Sequence, residues 1–233
     1  MATVHPTATK NGNPCSEWQY FSLNPSDHSI RDSGRSLDPV TASSTRTILI
    51  CSGKGGVGKT TTTVNLATSL AATKRKILLI DLDPQGSATV GCGLNKHELE
   101  YSINEVLLGT CSAEDAIVAS QWKFDVLGSN GDLTVAEVRL LRSDHREHVL
   151  KDMLTEVREQ YDYVLIDCPP SLNMLTVNAL SASDSVLVPI QCEYYALEGL
   201  TSLLSSIDRI RRASNPGLRL EGLLRTMYDG AID

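Results

Sequence analysis

The residues best suited to chemistry lie between positions 53 and 60, where the chain reads Gly-Lys-Gly-Gly-Val-Gly-Lys-Thr. This run fits the pattern Gly-x-x-x-x-Gly-Lys-Thr, a loop whose backbone N–H groups surround a phosphate group. In such a loop Lys59 reaches the β and γ phosphates, and the hydroxyl of Thr60 holds Mg²⁺. We therefore predict a site for ATP and Mg²⁺. The residues expected to contact the nucleotide are Gly53, Gly55, Gly56, Val57, Gly58, Lys59, Thr60 and Thr61, whereas Lys54, in the second position of the loop, has no role in this general pattern.

The loop also has the flanking sequence that the pattern requires. Residues 47–50 form an apolar, β-branched run that predicts a strand, and residues 61–72 predict a helix. The N-terminus of that helix would add its positive end to the phosphate site. Because pattern, strand and helix occur together, we interpret the run as a phosphate-binding loop and not as a chance glycine-rich turn.

Carboxylates follow two more predicted strands, residues 76–81 and 163–167. Asp81 and Asp167 end these strands, and Asp83 lies two positions beyond Asp81. The carboxyl ends of parallel strands meet at one edge of a sheet, so these side chains should lie beside the loop. Phosphoryl transfer requires a metal held near the phosphates and a group that orients the attacking water. The set therefore predicts ATP hydrolysis.

The rest of the chain alternates strand and helix patterns, which predicts an α/β fold with a doubly wound, mostly parallel sheet and helices on both faces. Ser102 and Ser112 are candidate N-caps of short helices. The remaining predicted strands are 124–127, 185–191 and 218–228, and Pro189 interrupts the second of these near its end. The remaining predicted helices are 146–161, 172–182 and 197–212. Two arginines end the last helix, and such basic residues suit a helix C-terminus.

Composition narrows the functional classes. The net charge of −7 and the pI near 5.2 exclude a surface that is basic throughout, so any DNA contact must be local. The six cysteines lack metal-ligand spacing, which indicates a reducing cytosol without disulfides or structural zinc. No apolar run approaches the roughly 20 residues of a membrane span, and the first residues lack a secretion signal. We expect a soluble, cytoplasmic protein.

The composition also suggests a division of the chain. Residues 1–45 are polar and lack periodicity, which predicts a disordered tail, with an aromatic cluster at Trp18, Tyr20 and Phe21. Residues 46–233 form the predicted ATPase domain. Its last predicted strand runs almost to Asp233 without a covering helix, so we expect C-terminal elements of the domain to be missing.

Several segments resemble the ParA/Soj chromosome-partitioning family, ATPases with a deviant Walker A loop that also include MinD and the nitrogenase iron protein. Lys54, in the second position of the loop, matches the signature lysine of this family. The resemblance extends from about residue 47 to about 230. It is carried by residues 53–61, by Asp-Leu-Asp-Pro-Gln-Gly at 81–86, by Asp-Cys-Pro-Pro at 167–170 and by Gln-Cys-Glu-Tyr-Tyr-Ala-Leu-Glu-Gly at 191–199.

The resemblance implies a role for each candidate residue. Lys54 would reach the nucleotide of a partner subunit, and Lys59 would act within its own site. Asp83 would position the attacking water, and Asp167 would be the Walker B residue that serves Mg²⁺ together with Thr60. Asp81 would have a supporting or magnesium-binding role.

By this resemblance the protein would be an ATP-driven dimerisation switch in chromosome or plasmid partitioning. The homodimer would bind DNA without sequence preference in the nucleoid, and a DNA-bound, ParB-like partner would stimulate hydrolysis. Three alternatives remain open: a truncated nucleotide-binding remnant without DNA binding, a MinD-like membrane-cycling ATPase, and an iron–sulfur reductase using Cys92 and Cys168. A MinD-like ATPase has a C-terminal amphipathic helix as its hallmark, and the sequence shows no such helix. We therefore do not expect stable membrane association.

Two departures from the family accompany the match. Ser52 and Gly53 stand where the family usually has glutamine before the signature lysine, which leaves the loop pattern intact. The family also continues beyond the point where this sequence ends, with adenine contacts and basic DNA-binding residues. From this we expect the chain as given to bind ATP weakly and DNA poorly.

Overall fold

The computed structural model describes Tyr20–Phe21, residues 45–192 and residues 196–228. Within these residues one eight-stranded sheet runs through the molecule, in the order β1-β8-β7-β2-β6-β3-β5-β4. The strands are β1 (Tyr20–Phe21), β2 (Arg46–Ile50), β3 (Ile77–Asp81), β4 (Ile117–Ala119), β5 (Asp125–Leu127), β6 (Tyr163–Asp167), β7 (Ser185–Gln191) and β8 (Arg219–Thr226).

Helices connect most of these strands. They are α1 (Lys59–Ala72), α2 (Ser87–Gly91), α3 (Ile103–Leu107), α4 (Ala113–Ala116), α5 (Leu133–Leu140), α6 (Val149–Val157), which continues into a short 3₁₀ turn, α7 (Met174–Ala182) and α8 (Ala196–Ala213). Ser102 and Ser112 cap α3 and α4 as predicted, and Ser102 forms a full capping box with Glu105. Among the helices described, none is both long and apolar enough to cross a bilayer.

The central strands are parallel, which confirms the predicted fold class. β2 lies between β6 and β7, and β3 lies between β6 and β5, all in parallel pairs. Every residue of β3 is buried, as a strand covered on both faces requires. The antiparallel pairs are at the two edges, β4 with β5 and β1 with β8.

Two apolar layers cover the sheet, and successive residues of one strand point to opposite layers. Leu78 and Ile80 belong to the layer under the helices α3 to α8, whereas Ile77 and Leu79 belong to the layer under α1 and α2. This alternation fixes the register of the strands, because a one-residue slip would exchange the two layers. The register in turn fixes which residues reach the carboxyl edge.

Two details differ from the sequence prediction. Pro189 does not interrupt β7, and it lies opposite Leu224 of β8. The pairing of β7 with β2 ends at Leu187, so at Pro189 the strand has a neighbour on one side. The N–H group that proline lacks is therefore not needed for pairing with β2. Tyr20–Phe21, in the segment expected to lack structure, form β1 and pair with Leu223 and Leu224. Residues 1–19, which include Trp18, and residues 22–44 lie outside the described residues.

Candidate nucleotide-binding site

The phosphate loop lies between β2 and α1, at the carboxyl edge of the sheet. Gly56 and Gly58 have φ angles of 76° and 86°, left-handed conformations that favour glycine. Gly58 is the N-cap of α1 and has no side chain with which to cap it, so the first N–H groups of the helix stay available to an anion. The local sequence therefore builds a concave backbone surface that suits a phosphate group.

Two lysines belong to this loop. Lys59, in the first turn of α1, is 7% exposed, and its Nζ lies 3.4 Å from the carbonyl oxygen of Lys54, so the ammonium group lies over the loop itself. Lys54 is partly exposed, and its Nζ donates a hydrogen bond of 3.1 Å to Oε1 of Gln191, the last residue of β7. The two lysines thus differ in exposure and in partner.

Asp167 lies at the end of β6, directly behind the loop. Its Oδ2 accepts a hydrogen bond of 2.7 Å from the Thr60 hydroxyl, and its Oδ1 accepts one of 3.1 Å from the Thr63 hydroxyl. Burial and the nearby charge of Asp81 raise the pKa of Asp167 to about 7, although the two hydroxyls and Lys59 oppose the shift. A cation near Thr60 would favour the charged form.

Asp81 is the neighbour of Asp167 in the β3–β6 register and is fully buried. Its Oδ1 accepts a hydrogen bond from the backbone N–H of Asp83, and its Oδ2 accepts two bonds of 2.8 Å from the N–H and hydroxyl of Thr89. Burial raises the pKa of Asp81 to about 6, against these hydrogen bonds. Both oxygens are therefore occupied in holding the loop that follows β3.

Asp83 is held in place through its backbone. Its carbonyl oxygen accepts a bond of 2.8 Å from the Ser129 hydroxyl and one of 2.9 Å from the N–H of Gly86. Gly86 has a φ of 65°, and a Cβ there would lie 2.8 Å from the carbonyl oxygen of Ser129, so both conformation and space require glycine. The Asp83 carboxylate is partly exposed and accepts one bond of 2.9 Å, from the N–H of Gln85.

The structure thus brings together the phosphate loop, Asp81, Asp83 and Asp167 at one edge of the sheet. Thr61 is exposed on α1. The sequence prediction missed the residues that support this set, namely Thr63, Thr89, Ser129, Gln191 and Thr226. Thr63 could have been inferred from its helical spacing to Thr60, which places both hydroxyls near one another. Thr89 lies eight residues after Asp81, whereas Ser129, Gln191 and Thr226 join the site through contacts between distant segments.

The cysteines of the iron–sulfur alternative occupy unsuitable positions. Cys92 and Cys168 are both fully buried, and they lie in the two apolar layers on opposite faces of the sheet. Burial raises the pKa of Cys92 to about 12, so its thiol stays protonated. A cluster shared between two subunits needs thiolates that reach a common surface, which these two side chains do not.

Comparisons of the sequence agree with this geometry. Residues 45–220 match the family described as an AAA domain. An uncharacterized protein of Pseudomonas putida is 59% identical over 181 residues, 77% of this chain and 69% of that protein. The chromosome partitioning protein ParA of Myxococcus xanthus is 49% identical over 79% of this chain and 65% of its own length. The sporulation initiation inhibitor protein Soj of Bacillus subtilis is 47% identical over 78% of this chain and 72% of its own length.

Solved structures share the fold as well. A Mycobacterium smegmatis protein named cobyrinic acid a,c-diamide synthase, with a bound ATP analogue and magnesium, has a TM-score of 0.78 and 41% identity, covering 80% of this chain and 77% of that one. A plasmid partition protein from Borrelia burgdorferi has a TM-score of 0.66 and 30% identity, covering 80% of each chain. With its phosphate loop, its carboxylates and these relatives, the chain belongs to the ParA/Soj family of P-loop ATPases.

Proposed function

We propose that this protein is an ATP-dependent dimerisation switch that hydrolyses ATP and acts in chromosome or plasmid partitioning. The observation that carries the proposal is the pair formed by Thr60 and Asp167, a hydroxyl and a buried carboxylate 2.7 Å apart directly beside the phosphate loop. Such a pair supplies the oxygen ligands that Mg²⁺ prefers, next to the place where phosphates would bind. Relatives named as partition proteins support the cellular role.

The donor set fits Mg²⁺ bound together with a nucleotide. Thr60 would hold the ion through its hydroxyl and Asp167 through its carboxylate, directly or through water. When bound, Mg²⁺ would draw the phosphate oxygens together and offset the charge that develops on them. The fit is also electrostatic, because the raised pKa of Asp167 reflects a buried negative charge without a full counter-ion among the described side chains.

The loop and Lys59 would hold the phosphates. The left-handed Gly56 and Gly58 would turn successive N–H groups toward one centre, and the N-terminus of α1 would add its dipole. Lys59 is buried against the loop, so its charge would act at short range on the β and γ phosphates. These groups would bind the ground state and would not by themselves account for hydrolysis.

Asp83 is the carboxylate best placed to orient the attacking water. It is partly exposed, whereas Asp81 and Asp167 are fully buried and already accept hydrogen bonds on both oxygens. We assign Asp81 a supporting role, because it holds the N–H of Asp83 and the start of α2 through Thr89. A fixed backbone with one available carboxylate is what water positioning requires.

Lys54 would supply the dimer contact. In the single chain its ammonium group donates a hydrogen bond to Gln191, and the residue is partly exposed. A lysine in that position can reach a nucleotide held by a second copy packed against the same face. The dimer would then form only when ATP supplies the charge that Lys54 binds. Dimerisation would therefore depend on which nucleotide the chain has bound.

DNA binding by the dimer would be electrostatic. Relatives that act in chromosome and plasmid partitioning support it, and non-specific binding needs a cluster of positive charges facing the phosphate backbone. With a net charge of −7 the whole chain is not basic, so a dimer would need to place local clusters side by side. A DNA-bound partner that stimulates hydrolysis would release the dimer. We place these functions in residues 46–233.

The name of the Mycobacterium smegmatis protein raises a second candidate, ATP-dependent amide synthesis. The same phosphate loop could serve a ligase that activates a carboxylate substrate. The two functions differ in what they require besides ATP. A switch hydrolyses ATP and dimerises without a second substrate, whereas a synthase needs its carboxylate and an ammonia source.

Light scattering tests the proposal. The wild-type chain should double its mass with ATP or a non-hydrolysable analogue and Mg²⁺, and remain a monomer with ADP. Lys59→Ala should stay monomeric because it no longer binds nucleotide, and Lys54→Ala should bind nucleotide yet stay monomeric. An ATP-independent mass, or an unchanged dimer in Lys54→Ala, would contradict the switch.

A further inference from the structure

The last described strand ends in contact with the phosphate loop. Thr226, the final residue of β8, donates its hydroxyl hydrogen to the carbonyl oxygen of Val57 at 2.8 Å, and the carbonyl oxygen of Ile190 lies 3.2 Å from the same hydroxyl. Thr226 is 3% exposed and Val57 is 1% exposed, so water does not compete for this bond. The two residues are 169 positions apart in the sequence.

Peptide geometry links this bond to the phosphate-binding surface. In a trans peptide the C=O of one residue and the N–H of the next point in opposite directions. The bond from Thr226 fixes the Val57 carbonyl toward β8, so the N–H of Gly58 points away from β8. The loop can bind an anion only if such N–H groups converge on its open side, and the left-handed φ of Gly58 belongs to that arrangement.

Packing supports the same relation. A Cβ built on Gly58 would lie 3.8 Å from Cγ2 of Thr226, an ordinary contact, so the methyl group of Thr226 lies against the loop without a clash. Gly58 is therefore required for its φ angle and not for space. The side chain of Thr226 supports the loop with its methyl group and orients it with its hydroxyl.

A second contact holds the loop from the neighbouring strand. Gln191 is opposite Thr226 in the β7–β8 register, and its Oε1 accepts the hydrogen bond from Lys54. Its Nε2 lies 2.8 Å from Sδ of Met227, the residue after Thr226. The ends of β7 and β8 thus hold the loop at two points, the side chain of Lys54 and the carbonyl of Val57.

We propose that Thr226 is a positioning residue of the nucleotide site, whose hydroxyl orients the Val57–Gly58 peptide so that the Gly58 N–H is available to a phosphate group. This inference rests on the proposed function only in requiring that the loop bind a nucleotide. It extends the site to the carboxyl end of β8, which the phosphate-loop pattern does not include. A hydroxyl in this role affects phosphate binding and not base recognition.

The test compares three variants with the wild-type chain. Thr226→Val keeps the β-branched shape and removes the hydroxyl, whereas Thr226→Ser keeps the hydroxyl. Thr45→Val is the matched control: Thr45 is also buried and also has its hydroxyl 2.8 Å from two backbone carbonyl oxygens, those of Arg158 and Tyr161, but it lies at the amino end of β2. Calorimetry would measure the affinity for Mg²⁺–ADP and for inorganic pyrophosphate, and thermal unfolding would be followed without ligand.

Thr226→Val should weaken both ligands by about tenfold, since a buried carbonyl loses its donor and the loop loses its fixed orientation. Thr226→Ser should bind within about twofold of wild type, and Thr45→Val should lose stability without a change in either affinity. If Thr226→Val does not fold, Thr226→Ala carries the same prediction.

Equal affinity in Thr226→Val and wild type, with only a lower unfolding temperature, would overturn the positioning role while leaving the proposed function intact. Weakening of ADP without weakening of pyrophosphate would also overturn it, because the effect would then lie at the nucleoside. A wild-type chain that binds neither ligand would overturn both proposals.

Discussion

Replacing Thr60 by valine is the change that isolates the proposed magnesium site most sharply. Valine keeps the branched shape in α1 but cannot donate to Oδ2 of Asp167, so it removes the 2.7 Å bond and a magnesium ligand together. The affinity falls because the hydroxyl oxygen is lost as a ligand of the ion. If that contact is comparable to a hydrogen bond to a charged group, about 1.5–3 kcal/mol, the affinity for Mg²⁺–nucleotide drops roughly 10- to 150-fold. The loss should be confined to the magnesium-dependent part of binding.

The assay is a titration with ADP in Mg²⁺ and again in EDTA. Wild type should bind more tightly with Mg²⁺, and Thr60→Val should bind with nearly the same affinity in both buffers. Thr60→Ser should recover the magnesium effect because it restores the hydroxyl. If Thr60→Val kept the full difference between Mg²⁺ and EDTA, the ion would be held elsewhere and the reasoning from the Thr60–Asp167 pair would be refuted.

Three further predictions follow from the same geometry. Lys59→Ala should abolish ADP binding in calorimetry, because the loop loses the buried cation that lies over it; near-normal affinity would argue against a phosphate loop. Asp83→Ala should bind ATP normally but hydrolyse it at least about 100-fold more slowly, since water positioning acts in the transition state; a wild-type rate would assign that role to another residue. Without Mg²⁺ and nucleotide, the free energy of unfolding should fall as pH rises from about 4 to about 7. In the folded state the pKa values of Asp81 and Asp167 are raised to about 6 and about 7. The folded chain therefore binds more protons than the unfolded chain in this pH range, and it loses stability as the pH rises. Urea denaturation of wild type and Asp81→Asn would check this, and an equally steep pH dependence in the variant would contradict it.

The sequence predicted the parts of the site that depend on local spacing. The phosphate loop is continuous in the chain, and Asp81 and Asp167 follow apolar runs whose strand character is plain, so parallel pairing alone brings them to one edge. The capping serines before α3 and α4 are equally local signals. The fold class follows from the same alternation of strands and helices.

The parts that could not be predicted depend on contacts between distant segments. The hydroxyl of Thr226 meets Val57 only because β8 lies beside β7 and extends to the same edge, and no local pattern contains that information. The position of Pro189 is tolerated because β2 stops pairing with β7 at Leu187, which depends on the register of three strands. The pairing of Tyr20–Phe21 with β8 likewise joins two ends of the sequence.

The central claim, that each nucleotide site is completed by Lys54 of a second copy, has a direct test. Lys54→Ala and Asp83→Ala should each be inactive alone, for different reasons. In a mixed dimer, the subunit that carries Lys54→Ala still has its own Asp83 and receives Lys54 from its partner. One of its two sites is therefore complete.

An equimolar mixture of the two variants should accordingly regain ATP hydrolysis. The rate should stay below roughly a quarter of the wild-type rate, the value for random pairing through one symmetric interface, because a mixed dimer has only one of its two Lys54 contacts. Each variant alone and a mixture of wild type with Lys59→Ala serve as controls. If the mixture of Lys54→Ala and Asp83→Ala stays as inactive as its components while wild type hydrolyses ATP, Lys54 acts within its own subunit or not at all, and the account of the switch is wrong.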